Sequence, residues 1–273
     1  MTLPLMPLLA PSETLTDALA QTLRYPVLVS PKYDGIRASI QSGQLLSRTC
    51  KPLPNPYIAS VLAAFEGLDG EIVCGDFNCT QSAVMGPHAP GDWAFFAFDA
   101  VGSPLRFDQR LQLLAARIPP DHPRVKMAPQ RLARSPRELL AIEQSHRLDG
   151  WEGVMVRSPD GLYPQKTKGE LRSTLRQQNV MKFKRFEDSE GLIVDVYPGA
   201  DGSSVGGFVL QDDRQGWTCR VNTGRLTAAQ LAHAWQAPGD YVGKRSLKYQ
   251  FQRVGMGALP RFPTAQGFRD QGT

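Results

Sequence analysis

The sequence predicts an α+β domain over residues 1 to 186, followed by a small β-barrel over 187 to 273. Three observations carry this. Apolar residues in the first part switch between the 3.6-residue spacing of helices and the two-residue alternation of strands. From Leu192 onward, short runs of Val, Ile, Phe and Tyr are broken by Pro198-Gly199, Asp201-Gly202, Gly206-Gly207, Asp212-Asp213 and Gly216, the punctuation of a small barrel. A chain of 273 residues, 41% hydrophobic, can also bury one large core or two moderate ones.

In chain order, residues 12 to 24 carry Ser12 as a candidate N-cap and apolar residues at helical spacing, which predicts a helix. An apolar strand at 25 to 29 follows and runs into a turn at Asp34-Gly35. Residues 38 to 48 alternate around Ser42-Gly43, so a hairpin is expected to return Arg48 close to Lys32. Helices are expected at 56 to 66, 107 to 116 and 136 to 146, and strands at 68 to 73, 93 to 99, 154 to 157 and 180 to 183. A helix at 227 to 235 interrupts the barrel pattern. The domain boundary is placed at 187 to 191, and that linker is read as a hinge.

The net charge of +5 is informative once it is located. Basic and acidic side chains balance over 187 to 273, so the whole surplus lies in the first domain. It concentrates at 165 to 186, where Lys166, Lys168, Arg172, Arg176, Lys182, Lys184 and Arg185 face Glu170 alone. Such a stripe suits a polyphosphate or a nucleic-acid backbone, and a solvated charged face is the plain alternative. The cysteines Cys50, Cys74, Cys79 and Cys219 have no C-x-x-C spacing, so reduced, unremarkable thiols are expected. No apolar run reaches membrane-spanning length, and residues 1 to 9 place no cation ahead of their apolar residues. A cytoplasmic monomer without membrane association is therefore expected.

Lys32-Tyr33-Asp34-Gly35-Ile36-Arg37 carries a lysine into a turn, where a solvated amine is the ordinary finding. Its companions change the reading. LSRT at 46 to 49, DGEI at 69 to 72, FAFD at 96 to 99, EGVMVR at 152 to 157 and MKFK at 181 to 184 follow in a fixed order. That ordered set resembles the covalent nucleotidyltransferase superfamily, and within it the small ATP-dependent DNA ligases of bacteriophage type. SPKYDGIR, LLSRTCKPLPNPYI, the DFNCTQSAVM run and the closing LPRFPTAQGFRD extend the resemblance over nearly the whole chain.

The resemblance implies an ATP-grasp-like adenylation domain followed by an OB-fold, and an enzyme that seals nicks in duplex DNA with ATP and Mg²⁺, Mn²⁺ being an alternative. Lys32 would become the adenylated residue. A lysine amine with an ordinary pKa of about 10.4 is rarely free to attack at neutral pH, so nearby cations and partial burial are expected to assist it. Alternation along MKFK puts Lys182 and Lys184 on one face, where they could neutralise the α-phosphate and the departing pyrophosphate.

The resemblance further gives Glu71 and Glu152 to the nucleotide and the metal, and oxygen donors are what Mg²⁺ prefers. Arg37 and Arg48 would contact phosphate and sugar, Arg48 holding the 5′-phosphate of the nick. Phe98 would stack on adenine, although by itself it reads as core. Ser30 is a candidate for the base edge and Asp34 for the nick. Arg157, Lys166, Arg172 and Ser173, with Lys244, Lys248, Arg261 and Arg269 in the barrel, are the remaining candidates for DNA contact.

The tail Arg269-Asp270-Gln271-Gly272-Thr273 lacks the lysine of the family's usual R-x-D-K ending, leaving Arg261 or Lys248 to assist pyrophosphate release. RNA ligases and capping guanylyltransferases share the lysine turn, so another lysyl-nucleotidyl transferase is the alternative, and a silent nucleic-acid-binding scaffold is the rival from another class.

Overall fold

The computed structural model describes residues 3 to 252 and 260 to 269, and the chain divides into two compact units, Met1–Lys184 and Arg185–Thr273. The first unit runs β1 (Leu8–Leu9), α1 (Asp17–Gln21), β2 (Val27–Pro31), β3 (Ile36–Gln41), β4 (Gln44–Ser47), α2 (Pro56–Leu62), β5 (Leu68–Val73) and α3 (Phe77–Met85). It continues with β6 (Ala94–Ala100), α4 (Phe107–Arg117), β7 (Val125–Met127), β8 (Arg131–Ala133), α5 (Pro136–Leu148), β9 (Val154–Arg157), β10 (Leu171–Arg172) and β11 (Met181–Phe183). One sheet has the order β11-β9-β2-β8 and the other β4-β3-β5-β6-β7, while β1 and β10 form a short parallel pair.

Strand alternation separates core from site. In the first sheet Val27, Val29, Val154 and Val156 pack against Ala20, Leu139 and Ile142. In the second, Ala38, Ile40, Ile72, Phe95 and Ala97 pack against Ile58, Leu62, Val84 and Leu114. Because the side-chain period of a strand is two, Ser30, Met155 and Arg157 on one sheet, and Arg37, Glu71 and Phe98 on the other, are sent to the opposite faces.

The second unit is a closed barrel of β12 (Glu187–Pro198), β13 (Val205–Asp212), β14 (Trp217–Asn222), β15 (Ser246–Gln252) and β16 (Arg261–Arg269), with α6 (Ala228–Gln236) between β14 and β15. β12 pairs with β15 through its first half and with β13 through its second, and register shifts at Ile193/Asp195 and Tyr197/Pro198 let one strand turn the corner. Its core holds a polar knot. The fully buried Asp212 accepts hydrogen bonds from Ser189 Oγ at 2.5 Å and Tyr249 Oη at 2.6 Å, and Tyr249 Oη accepts from Trp217 Nε1 at 2.8 Å. Asp212→Ala is expected to lower the stability of this unit by about 2–4 kcal/mol in urea unfolding, since it strips partners from buried hydroxyls.

Two expectations are corrected and one unassigned run is filled in. The helix at 12 to 24 shrinks to Asp17–Gln21 and is capped by Thr16, because the residues before it bond to β11: Leu15 N donates to Lys182 O at 2.8 Å and Thr14 Oγ1 to the same oxygen at 3.1 Å. Ser12 is therefore no cap. The linker expected at 187 to 191 lies inside β12, where Glu187 through Leu192 pair with β15, and the units part at Lys184 and Arg185. The DFNCTQSAVM run forms helix α3, capped by Asp76, which the sequence reading left unassigned.

Candidate active site

A cavity of about 500 Å³ in the first unit is lined by residues from both sheets, among them Ser30, Lys32, Tyr33, Arg37, Arg48, Glu71, Phe98, Arg157, Arg172 and Lys182. Lys32 enters it from the end of β2. Its backbone N–H donates to Gly153 O at 2.9 Å, and the chain can pass this closely because Gly153 has no side chain: a Cβ there would lie 2.3 Å from Phe183 O. Gly35 closes the turn under the same constraint, a Cβ there falling 2.1 Å from Ile72 O. Tyr33, between them, is buried; its ring stacks on Phe96 with centroids 4.3 Å apart and meets Trp151 edge-on at 5.2 Å. The aromatic clamp fixes the backbone from which Lys32 projects.

Lys32 Nζ makes an ion pair with Glu152 Oε2, and Lys184 Nζ reaches Glu152 Oε1 at 3.3 Å. Burial alone would raise the Glu152 carboxyl, but the two ammonium groups hold it below the ordinary carboxylate range. Lys182 donates to Ser12 O at 2.7 Å, and burial together with Lys184, Arg172 and Lys32 holds its ammonium below the ordinary lysine range. Positive charge thus outnumbers negative around the amine, which favours a polyphosphate.

Glu71 faces the same cavity, where burial pushes its carboxyl up to about 7 against the pull of Lys32 and Arg37. A carboxyl raised above its unfolded value keeps its proton longer in the folded chain, so its contribution is full below about pH 4.5 and is lost as pH rises through about 7. In the absence of nucleotide, the stability of the wild type relative to Glu71→Gln is expected to fall by roughly 1–3 kcal/mol between pH 4.5 and 8 in urea titrations.

Several candidates are placed differently from expectation. Arg37 is spent on Asp69, with Nε at 2.9 Å and Nη2 at 2.6 Å from its carboxylate, and on Leu8 O at 2.8 Å. Arg157 is buried, ion-paired with Asp99, and lies over the Phe98 ring at 5.2 Å. Arg37 lies over the same ring at 5.4 Å, so two guanidinium groups hold Phe98. Neither arginine is presented to a DNA backbone at the surface, because each balances a buried aspartate.

Ser173 is 2% exposed, and its Oγ takes Val180 N and gives to Thr174 O, which removes it from phosphate contact. Arg48 is exposed at the cavity edge. Arg172 lies there too, bonded to Ala10 O at 2.7 Å and Glu170 Oε2 at 2.9 Å. Asp34 is half-buried in its turn, and Lys166 donates to Glu170 O at 2.7 Å. In the barrel, Lys244 is exposed, Lys248 pairs with Asp188 at 3.0 Å, Arg261 lies over Phe262 at 5.1 Å and Arg269 reaches Glu190 at 3.5 Å. The missing lysine of the tail falls at 270 to 273, outside the described residues.

Sequence reasoning missed Asp69, Asp99, Tyr33 and the segment Leu8 to Ala10, all of them part of the site or its support. A signal existed for the aspartates, since a carboxylate inside an otherwise apolar strand demands a buried partner. None existed for residues 8 to 10, which reach the cavity through the β1–β10 pairing and long-range bonds from Arg37, Tyr163 and Arg172.

No family model matches the chain, and no curated protein does. Among solved structures, two of Chlorella virus DNA ligase-adenylate match at 30% and 31% identity, each with a TM-score of 0.57. The first covers 96% of this chain and 98% of its own, the second 98% and 99%. A structure from work on Lig E DNA ligases as minimal DNA-binding scaffolds shares the fold with a TM-score of 0.71 at 23% identity, covering 96% of this chain and 98% of its own.

Proposed function

Because this chain belongs to the ATP-dependent DNA ligases, we propose that it joins a 5′-phosphate to a 3′-hydroxyl at nicks in duplex DNA through a lysyl-AMP intermediate on Lys32. One observation carries the assignment of the nucleophile: the amine of Lys32 enters a cavity shared with Glu71, Phe98 and Lys182, and is held there by Glu152, which Lys184 also binds. Residues 1 to 186 act in this reading as the adenylation domain and 187 to 273 as the OB-fold domain.

The chemistry follows from the arrangement. Glu152 and the Tyr33 clamp fix where the amine points. Lys182 and Lys184 supply positive charge for the α-phosphate as Lys32 displaces pyrophosphate from ATP. Phe98, held by Arg37 and Arg157, presents a ring face for adenine. The exposed guanidinium of Arg48 is free to fork onto the 5′-phosphate that receives AMP in the second step. In the third step the 3′-hydroxyl attacks the adenylated phosphate and AMP leaves.

A divalent cation fits the donor set. Glu71 and Glu152 offer hard oxygen ligands, and among the described residues no group of three or more His, Cys, Asp or Glu forms a cage. Carboxylate ligands of this kind, with phosphate oxygens and water completing the shell, would suit Mg²⁺ and also Mn²⁺. When bound, it supplies further neutralisation at the phosphate.

The test is sealing of a 5′-phosphorylated nicked duplex with ATP and Mg²⁺, run beside GTP and a nicked RNA duplex. Sealing of DNA with ATP is the expected result, and joining confined to RNA or dependent on GTP overturns the proposal. None of the described helices is long and apolar enough to cross a membrane.

A further inference from the structure

We propose that Cys74 and Cys79 are a reversible dithiol–disulfide pair built into the junction of β5 and α3, a modification site separate from the ligation chemistry. The two Sγ atoms lie 2.7 Å apart. Three local features hold them there. Cys74 directly follows β5, the strand that carries Glu71, and Cys79 stands in the first turn of α3. Gly75, at φ +60°, turns the chain so sharply that a Cβ on it would lie 3.7 Å from Cys79 Cβ. Thr80 Oγ1 then ties helix to strand, accepting from Cys74 N at 2.8 Å and donating to Asp76 O at 2.9 Å, while Asp76 accepts from Cys79 N at 2.8 Å. A disulfide needs a sulfur separation of about 2.05 Å, so closing the bond asks for a movement well below the width of an atom.

The two thiols differ in the way a sensor pair requires. Cys79 is exposed, whereas Cys74 is only 6% exposed and burial, with Cys79 beside it, pushes its thiol up to about 11. Cys79 is therefore the sulfur an oxidant meets, and Cys74 the one that resolves the product. With hydrogen peroxide the atoms balance as follows. Cys79 sulfur attacks one peroxide oxygen and becomes a sulfenic acid as the O–O bond breaks and water leaves. Cys74 sulfur then attacks Cys79 sulfur, forming the S–S bond; the hydroxide it displaces takes the Cys74 proton and departs as a second water. Two thiols are oxidised by two electrons, and a small dithiol reverses the bond by exchange. Neither sulfur is placed in the reaction above, but Phe77, between them in sequence, lines the cavity.

The test uses the full chain, reduced, freed of reductant and titrated with hydrogen peroxide. Digestion with a protease that cuts before aspartate, and mass spectrometry without reduction, should show peptide 69 to 75 joined to 76 to 91 at about 2 Da below their sum. Dithiothreitol should separate them, with Cys50 and Cys219 still thiols. In a Cys74→Ser chain at the same dose, Cys79 should instead accumulate as sulfinic acid. A wild-type chain in which Cys79 oxidises to the sulfinic level while Cys74 stays a thiol overturns the proposal, whatever the variants do.

Discussion

Lys32→Ala is expected to abolish the transfer of label from α-³²P-ATP to the protein and to lower ATP-dependent nick sealing at least about 10⁴-fold, the usual consequence of removing a covalent nucleophile. The loss should be confined to chemistry that passes through the amine. A nick already carrying AMP on its 5′-phosphate needs no lysyl intermediate, so the variant should seal that substrate within about tenfold of the wild-type rate. Folding should survive, because Lys32 is half-buried and its ion pair lies at the edge of a cavity. Label retained on the variant at wild-type level would place the nucleophile elsewhere. Equal loss on both substrates would mean instead that the substitution disturbs the cavity as a whole.

The largest effect on stability is expected at Asp99. This carboxylate is 1% exposed and binds Arg110 Nε at 2.5 Å, Arg110 Nη2 at 3.2 Å, and Arg157. Arg110 is fully buried and its Nη1 also donates to Leu105 O at 2.6 Å and Gly161 O at 2.9 Å, so one aspartate pairs with two buried guanidinium groups. Asp99→Ala removes the carboxylate that both guanidinium groups bind, and the cost of breaking such a pair is about 3–5 kcal/mol. Urea unfolding followed by a probe in each unit should show the transition of Met1–Lys184 shifted and that of Arg185–Thr273 unchanged. The same substitution frees Arg157 from its place over Phe98, so the KM for ATP should rise in whatever fraction remains folded. A loss below about 1 kcal/mol would show that the guanidinium groups find other partners or solvent.

The legibility of this chain differed sharply between strands and long-range partners. The strands β5 and β6 were legible from their apolar runs, but Phe98 by itself read as core and only the family resemblance gave it to the nucleotide; in the structure the two-residue period sends it and Glu71 to the face opposite the core. The barrel was legible from its turns, since Gly and Pro pairs between β-branched runs leave short strands and little else. The 12 to 24 helix was misjudged for the opposite reason: its local spacing was sound, but Thr14 and Leu15 find partners in β11, far away in sequence. Ser173 and Arg157 read as candidates for DNA contact, but a backbone N–H holds the first and a buried aspartate the second inside the fold.

By itself the sequence determined which functional groups the protein owns and the order in which they arrive: a lysine before an aspartate-glycine turn, carboxylates at strand positions, an aromatic strand and a basic stripe. Those follow from residue chemistry and from periodicities of a few residues. Tertiary structure alone decided the pairing. Glu152 rather than Glu71 took Lys32, Asp69 claimed Arg37, Asp99 claimed Arg110 and Arg157, and two cysteines five positions apart met across a left-handed turn. Electrostatic and sulfur contacts act over a few ångströms, and sheet register and packing, which no local pattern encodes, set which groups come within that reach.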